Sequence, residues 1–170
     1  MNIKISEELK KYLIPLKEEE YLQLEENIKT DGCRDPLVLW GELLIDGHNR
    51  YEICTKHGIN YSTVNRAFDN IVDAGEWMES NQLGRRNLTP DQFRYLLGRK
   101  YNRLKNKQGG NTSNRQNVAL NVANDHGVSD RTVERAGAAV TDIENAIPEV
   151  AEALQAGDIN RTGALDITTF

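Results

Sequence analysis

The chain has 170 residues, of which 38% are hydrophobic and 28% charged, and its formal net charge is −5. That balance suits one globular domain or two small ones and excludes a disordered chain. No apolar run approaches the roughly 20 residues of a membrane span, and charges interrupt the apolar positions of residues 1–11, which excludes a signal peptide and points to a cytoplasmic protein with no membrane partner.

In chain order, Ile14-Pro15-Leu16 reads as extended, because the residue before proline avoids helical angles. Residues 18–29 follow as an amphipathic helix with Tyr21, Leu22, Leu24 and Ile28 on its apolar side and Gly32 as its stop. Pro36-Leu37-Val38-Leu39-Trp40 is a β-rich run, Gly41-Glu42 a turn, and Leu43-Leu44-Ile45 a return strand, which together predict a hairpin. Asp46-Gly47 breaks the strand, residues 48–57 form a helix ended by Gly58, residues 61–66 offer a third strand, and residues 70–79 another helix. Mixed short strands and helices in this order predict a compact α+β domain over residues 1–80.

Residues 81–110 read as a basic connecting arm and helix. Thr89 suits a helix N-cap and Pro90 the first helical position. Phe93, Tyr95, Leu96, Leu97, Tyr101 and Leu104 then make an apolar stripe, and residues 108–114 read as a linker. Residues 111–170 read as an all-α domain: a helix over 116–125, a stop at Gly127, a second helix capped by Ser129, a break at Pro148, and a last helix over 149–155 ended by Gly157.

Charge is segregated along this order. Between Asn81 and Asn117 stand Arg85, Arg86, Arg94, Arg99, Lys100, Arg103, Lys105, Lys107 and Arg115, opposed by Asp91 alone; from Val118 onward acidic residues dominate. A basic stretch of this density suits a face that meets phosphate, although a solvated helix face is the ordinary alternative.

Two local patterns carry chemistry. In VALNVANDHGVSDRTVERA, Ala123 is the small residue at which two helices of a helix-turn-helix cross, and Gly127 takes the tight turn. Ser129 caps the second helix, Val128, Val133 and Ala136 return to the core, and Asp130, Arg131, Thr132, Glu134 and Arg135 are left facing out, where a recognition helix meets base edges and phosphates. A helical hairpin with a glycine turn is the plain alternative. The other pattern is Leu44-Ile45-Asp46-Gly47-His48-Asn49-Arg50: a strand that ends in glycine and opens a helix leaves backbone N–H groups at a positive dipole end, with Arg50 one turn in and able to fork onto a phosphate. Asp46 and His48 otherwise read as part of a capped turn, and no metal site is expected there. Cys33 and Cys54 match no metal spacing or disulfide framework and read as two reduced thiols. His57 and His126, each before a glycine, read as helix-end cations that favour the dipole.

The stretch Leu24-Glu25-Glu26-Asn27-Ile28-Lys29-x-x-Gly32, then Asp35-Pro36-Leu37-Val38-Leu39, then Leu44-Ile45-Asp46-Gly47-His48-x-Arg50 resembles the ParB N-terminal domain, a member of the ParB/sulfiredoxin fold. Residues 81–90, Asn81-Gln82-Leu83-Gly84-Arg85-Arg86-Asn87-Leu88-Thr89-Pro90, are similar to that family's second phosphate motif, and residues 147–159 to its segment after the helix-turn-helix. The resemblance implies a DNA-binding protein of plasmid or chromosome partition, or of a mobile element, associated with nucleoid or plasmid. The helix-turn-helix itself suits a homodimer reading paired half-sites about 34 Å apart, and the resemblance implies a partition ATPase as partner. It also implies CTP and Mg2+ held between the Gly-x-x-Arg turn (Gly47, His48, Asn49, Arg50) and the later motif (Asn81, Gln82, Arg85, Arg86). His48 and Asn49 stand where the family carries Glu and Arg, and Asn81-Gln82 where it carries Glu-Asn. Sulfiredoxin-like members place a catalytic cysteine at the position of His48, so peroxiredoxin repair lacks its nucleophile here. A ParB-like nuclease, a CTP hydrolase and a nucleotide-independent transcriptional repressor stay open as alternatives. The expected DNA contacts are Ser129, Asp130, Arg131, Thr132 and Arg135, with phosphate contacts from Arg85, Arg86, Arg94, Arg99 and Lys100. ParB-like proteins continue past the position of Phe170 toward a dimerisation segment, so a shortened chain is expected.

Overall fold

The computed structural model describes residues 2–84, 88–107 and 112–146, with Val150, Ala153 and Asp158 besides. The described elements are α1 (Glu7–Lys10), α2 (Glu18–Asp31), β1 (Leu37–Trp40), β2 (Leu43–Asp46), α3 (His48–His57), β3 (Thr63–Asn65), α4 (Ile71–Leu83), α5 (Pro90–Lys107), α6 (Thr112–His126) and α7 (Asp130–Ala146). They fall into two compact units, residues 1–79 and 80–170.

The first unit is built on a three-stranded sheet of order β2-β1-β3. β1 and β2 pair antiparallel across the two-residue Gly41-Glu42 loop, with Trp40 opposite Leu43 and a bulge between Val38 and Leu39. β3 returns through α3 to run parallel to β1, a pairing that needs a crossover connection of this kind. Strand alternation then sorts the side chains to two faces. Leu37, Leu39 and Leu44 turn to one side, where they pack with Ile3, Tyr51 and Tyr61. Val38, Trp40, Leu43 and Ile45 turn to the other, against Leu9 of α1 and Ala74, Met78 and Trp77 of α4. Behind α3, α2 closes a further apolar cluster of Ile28, Ile53 and Cys54, bordered by Tyr21, Leu24, Cys33 and Ile59. The third strand forms at the sheet edge with all three of its residues exposed.

In the second unit α5, α6 and α7 share one core of Leu97, Tyr101, Val118, Ala119, Val122, Ala123 and Val133. Thr89 and Gln92 cap α5 reciprocally: Gln92 N–H donates to Thr89 Oγ1 at 3.2 Å, and Thr89 N–H donates to Gln92 Oε1 at 3.0 Å. α5 and α7 cross so closely that a Cβ on Gly98 would run into the Ala136 carbonyl and one on Gly137 into the Tyr101 ring. Asn102 Nδ2 fastens the crossing by donating to the Gly137 carbonyl at 2.8 Å.

Some boundaries differ from the sequence reading. α6 begins at Thr112, so the last residues of the expected linker are helical; Gln108–Asn111 lie outside the described residues. The expected 149–155 helix and its stop at Gly157 fall almost wholly outside them too. No described helix is long and apolar enough to cross a membrane.

Candidate functional site

In the first unit the candidate turn follows from the end of β2. Gly47 takes φ 95° and ψ 26° and serves as N-cap of α3 without a side-chain cap. The first helical bond runs from Tyr51 N–H to the Gly47 carbonyl at 2.8 Å, so the N–H groups of His48, Asn49 and Arg50 have no acceptor within the helix. The turn is also tight. A Cβ on Gly47 would stand 2.6 Å from Leu37 Cδ2 and 3.0 Å from Arg50 Nη2.

Arg50 does not reach outward as the sequence suggested. Its Nη2 donates to Asp46 Oδ2 at 3.2 Å and to the Pro36 carbonyl at 3.3 Å, and both charged side chains are about one-fifth exposed. The pairing follows from helical spacing, since Asp46 and Arg50 are four apart across the turn. An anion at this turn therefore competes with the Asp46 carboxylate for the guanidinium. His48 Nδ1 and Nε2 are both buried without a hydrogen-bond partner among the described residues. Burial first, with Lys10 nearby, lowers the imidazole pKa against the opposing pull of Asp46, so the ring is neutral at pH 7. Asn49 is half-buried.

The later motif belongs to the second unit. Asn81 is exposed, whereas Gln82 is buried at 2% exposure. Arg85 and Arg86 lie outside the described residues. Among the described residues no group of three His, Cys, Asp or Glu side chains is placed to hold a metal ion.

The helix-turn-helix geometry is complete. Gly127 takes φ 66°, letting Val128 N–H donate back to the Ala123 carbonyl at 3.1 Å. Ser129 Oγ accepts from Thr132 N–H at 3.1 Å and lies 2.9 Å from Thr132 Oγ1, so these two expected DNA contacts also form the cap of α7. Val133 and Ala136 enter the core, while Ser129, Asp130, Arg131, Glu134 and Arg135 are exposed. Arg131 and Arg135, four apart, share one side of the helix.

The expected phosphate contacts on α5 divide. Arg94 is half-exposed, 3.8 Å from Asp91. Arg99 is 17% exposed, with Nε 3.5 Å from Glu144 Oε1 and the guanidinium against the Tyr95 ring. Lys100 is 16% exposed and donates to His126 Nε2 at 3.0 Å, with Asp125 at 3.9 Å. Both are mostly covered, because each serves the packing of α5 against its neighbours. The same contact corrects the reading of His126: burial, then Lys100, lowers its pKa, so the ring accepts a hydrogen bond as the neutral form and is no helix-end cation. His57 Nε2 lies 2.7 Å from Glu25 Oε1, a link between α3 and α2 with no signal in the sequence; with Lys56 it holds the Glu25 carboxyl down at about 2.

No protein-family model matches the chain, and no curated protein does. Solved structures do. A Pnob8-like ParB-N domain in its C2221 crystal form superposes with a TM-score of 0.64 at 17% identity, covering 99% of this chain and 76% of that one. The C-terminally truncated chromosome-partitioning protein ParB from Caulobacter crescentus, complexed with CTP-gamma-S, matches with a TM-score of 0.42 at 17% identity, covering 99% of this chain and 88% of that one. A sheet of order β2-β1-β3 followed by a helical unit thus gives this chain the fold of a ParB N-terminal domain structure.

Proposed function

We propose that the chain is a ParB-like DNA-binding protein of plasmid or chromosome partition, or of a mobile element, that grips duplex DNA with the N-terminal end of α7. The observation that carries this reading is the split along α7. Val133 and Ala136 anchor the helix in the core, while Arg131, Glu134 and Arg135 stand exposed beside a formed Ser129 cap. A helix held from behind with a polar, two-arginine flank in front suits insertion into the major groove. Arg94 adds a phosphate contact from α5. The likeness of fold to a ParB-N domain supports the same reading. On this proposal residues 1–80 form the phosphate-handling domain, 81–110 the connecting arm and helix, and 111–170 the DNA-binding part. A homodimer in the cytoplasm, attached to nucleoid or plasmid and met by a partition ATPase, completes it. The test is recovery of genomic fragments on the purified protein followed by sequencing. One enriched motif is the expected result, and uniform recovery across the genome excludes site-specific binding.

A second reading, that the protein responds to CTP, is favoured by the Gly47 turn, with its free N–H groups and a guanidinium one turn in. Gly47, His48, Asn49 and Arg50 would hold the phosphates, and Mg2+ would offset their charge. Isothermal calorimetry with CTP and Mg2+, alongside Arg50→Ala, tests it: heat that the variant abolishes supports the reading. Site-specific DNA binding indifferent to CTP makes the chain a plain repressor instead, and cleavage of DNA with Mg2+ present makes it a nuclease.

A further inference from the structure

Cys33 and Cys54 are distant in sequence, yet folding brings them into one apolar cluster. Cys33 follows Gly32, the C-cap of α2, and Cys54 lies on α3 between Ile53 and the Ile59 contact. Their environments are unequal: Cys54 is 1% exposed and Cys33 is half-buried. Cys33 Sγ donates to the Asp35 carbonyl at 3.5 Å, and the Cys33 thiol bears electrostatically on that of Cys54. Cys33 thus packs against the cluster that holds Cys54, one thiol reachable from solvent and the other behind it.

We propose that Cys33 and Cys54 are a peroxide-oxidisable modification site that closes to an intramolecular disulfide. The Cys33 thiolate attacks one peroxide oxygen; an S–O bond forms, the O–O bond breaks, and the departing hydroxide takes up the thiol proton as water. The Cys54 sulfur then attacks Cys33 sulfur; the S–S bond forms, the S–O bond breaks, and a second water leaves with the Cys54 proton. The two sulfurs together lose two electrons and the peroxide oxygens gain them.

The order of steps follows from the surroundings. Burial, reinforced by Cys33, pushes the Cys54 thiol up to about 11, so it is a poor first target. Oxidation of Cys33 presents an electrophilic sulfur beside the cluster that holds Cys54. Cys54 stands one helical turn beyond Arg50 on α3, and the guanidinium bears electrostatically on its thiol. The disulfide would therefore fasten the segment after α2 to the helix that carries the Gly47 turn. The inference stands apart from the DNA and nucleotide readings.

The experiment treats the full chain with hydrogen peroxide, traps remaining thiols with iodoacetamide after unfolding, and maps peptides by mass spectrometry. The expected result is a Cys33–Cys54 cross-linked peptide, a monomer lighter by two hydrogens, a thiol titre that falls from two per chain to none, and recovery with dithiothreitol. Cys54→Ala should instead leave Cys33 as a sulfenic acid that dimedone labels, an adduct scarce in the parent chain. Advance of Cys33 to sulfinic acid while Cys54 stays alkylatable, or disulfides formed only between chains, would overturn the proposal without reference to any variant.

Discussion

Replacing Gly47 with alanine would test the tightness of the β2–α3 turn against backbone strain alone. At φ 95° the backbone is left-handed, which costs a residue with a Cβ about 1–2 kcal/mol. The new methyl also stands 2.6 Å from Leu37 Cδ2, and Leu37 is 0% exposed on the central strand. It cannot retreat without moving the sheet, and overpacking of that kind costs about 1–3 kcal/mol. The combined loss of about 2–5 kcal/mol is a large share of the roughly 4–12 kcal/mol that a unit of this size holds. Gly58→Ala is the control, because φ is 65° there but nothing lies within 4 Å of the added methyl. Both tryptophans, Trp40 and Trp77, lie in the first unit, so their fluorescence follows that unit through a urea titration. With a slope of about 1 kcal/mol per molar urea, Gly47→Ala should move the midpoint at least about 1 M further than Gly58→Ala. Equal shifts would refute the steric half of the reasoning.

Arg135→Ala should weaken DNA binding about 5- to 150-fold by fluorescence anisotropy, the loss of one groove contact, with an unchanged melting temperature because the side chain is exposed. Arg99→Ala should do the reverse, lowering the melting temperature by removing the Glu144 and Tyr95 contacts while the salt dependence of DNA binding stays as it was. Ser129→Ala removes the oxygen that accepts Thr132 N–H and should cost about 1 kcal/mol in far-ultraviolet circular dichroism melts. His48 and His126 have folded-state pKa values below the ordinary 6.5, so the unfolded chain binds more protons as pH falls. Their stability contribution is present above pH 6.5 and lost below it; His48→Leu should flatten the fall that tryptophan fluorescence reads between neutral and mildly acid pH.

The elements that sequence reasoning placed well are those whose signals are local. The two-residue Gly41-Glu42 loop between β-rich runs, Gly58 after a helical pattern, and the Thr89-Pro90 entry each act over a few residues. Competing tertiary forces have little leverage there. The third strand was legible in position although its burial was not. Its residues alternate, yet β3 ends at a sheet edge with all three exposed, and which strand becomes an edge depends on the order of pairing, a long-range choice. The extent of α6 was misread for a related reason. Thr112-Ser113-Asn114 have loop-forming composition, but a helix held by Val118, Val122 and Ala123 in the core extends into residues of low propensity.

Site residues were harder because a charge in a sequence has no direction. Nine basic residues between Asn81 and Asn117 suggested one phosphate-facing surface. Helical periodicity alone already warns against it: Arg99 and Lys100 flank the Leu96-Leu97-Gly98 stripe that packs α5, so their long side chains begin at the edge of the core. What finally turns them inward is a partner from another helix, Glu144 for Arg99 and His126 for Lys100. Arg50 follows the same rule on a shorter scale, since Asp46 four residues earlier claims the guanidinium. Arg131 and Arg135 escape because Ser129 and Val133 fix the rotation of α7, and that rotation was written in the spacing of Ala123, Gly127 and Val133. Cations are therefore best assigned to a ligand surface where an apolar register on the same helix points them away from the core, and the density of charge is a weaker guide than the phase of the helix that bears it.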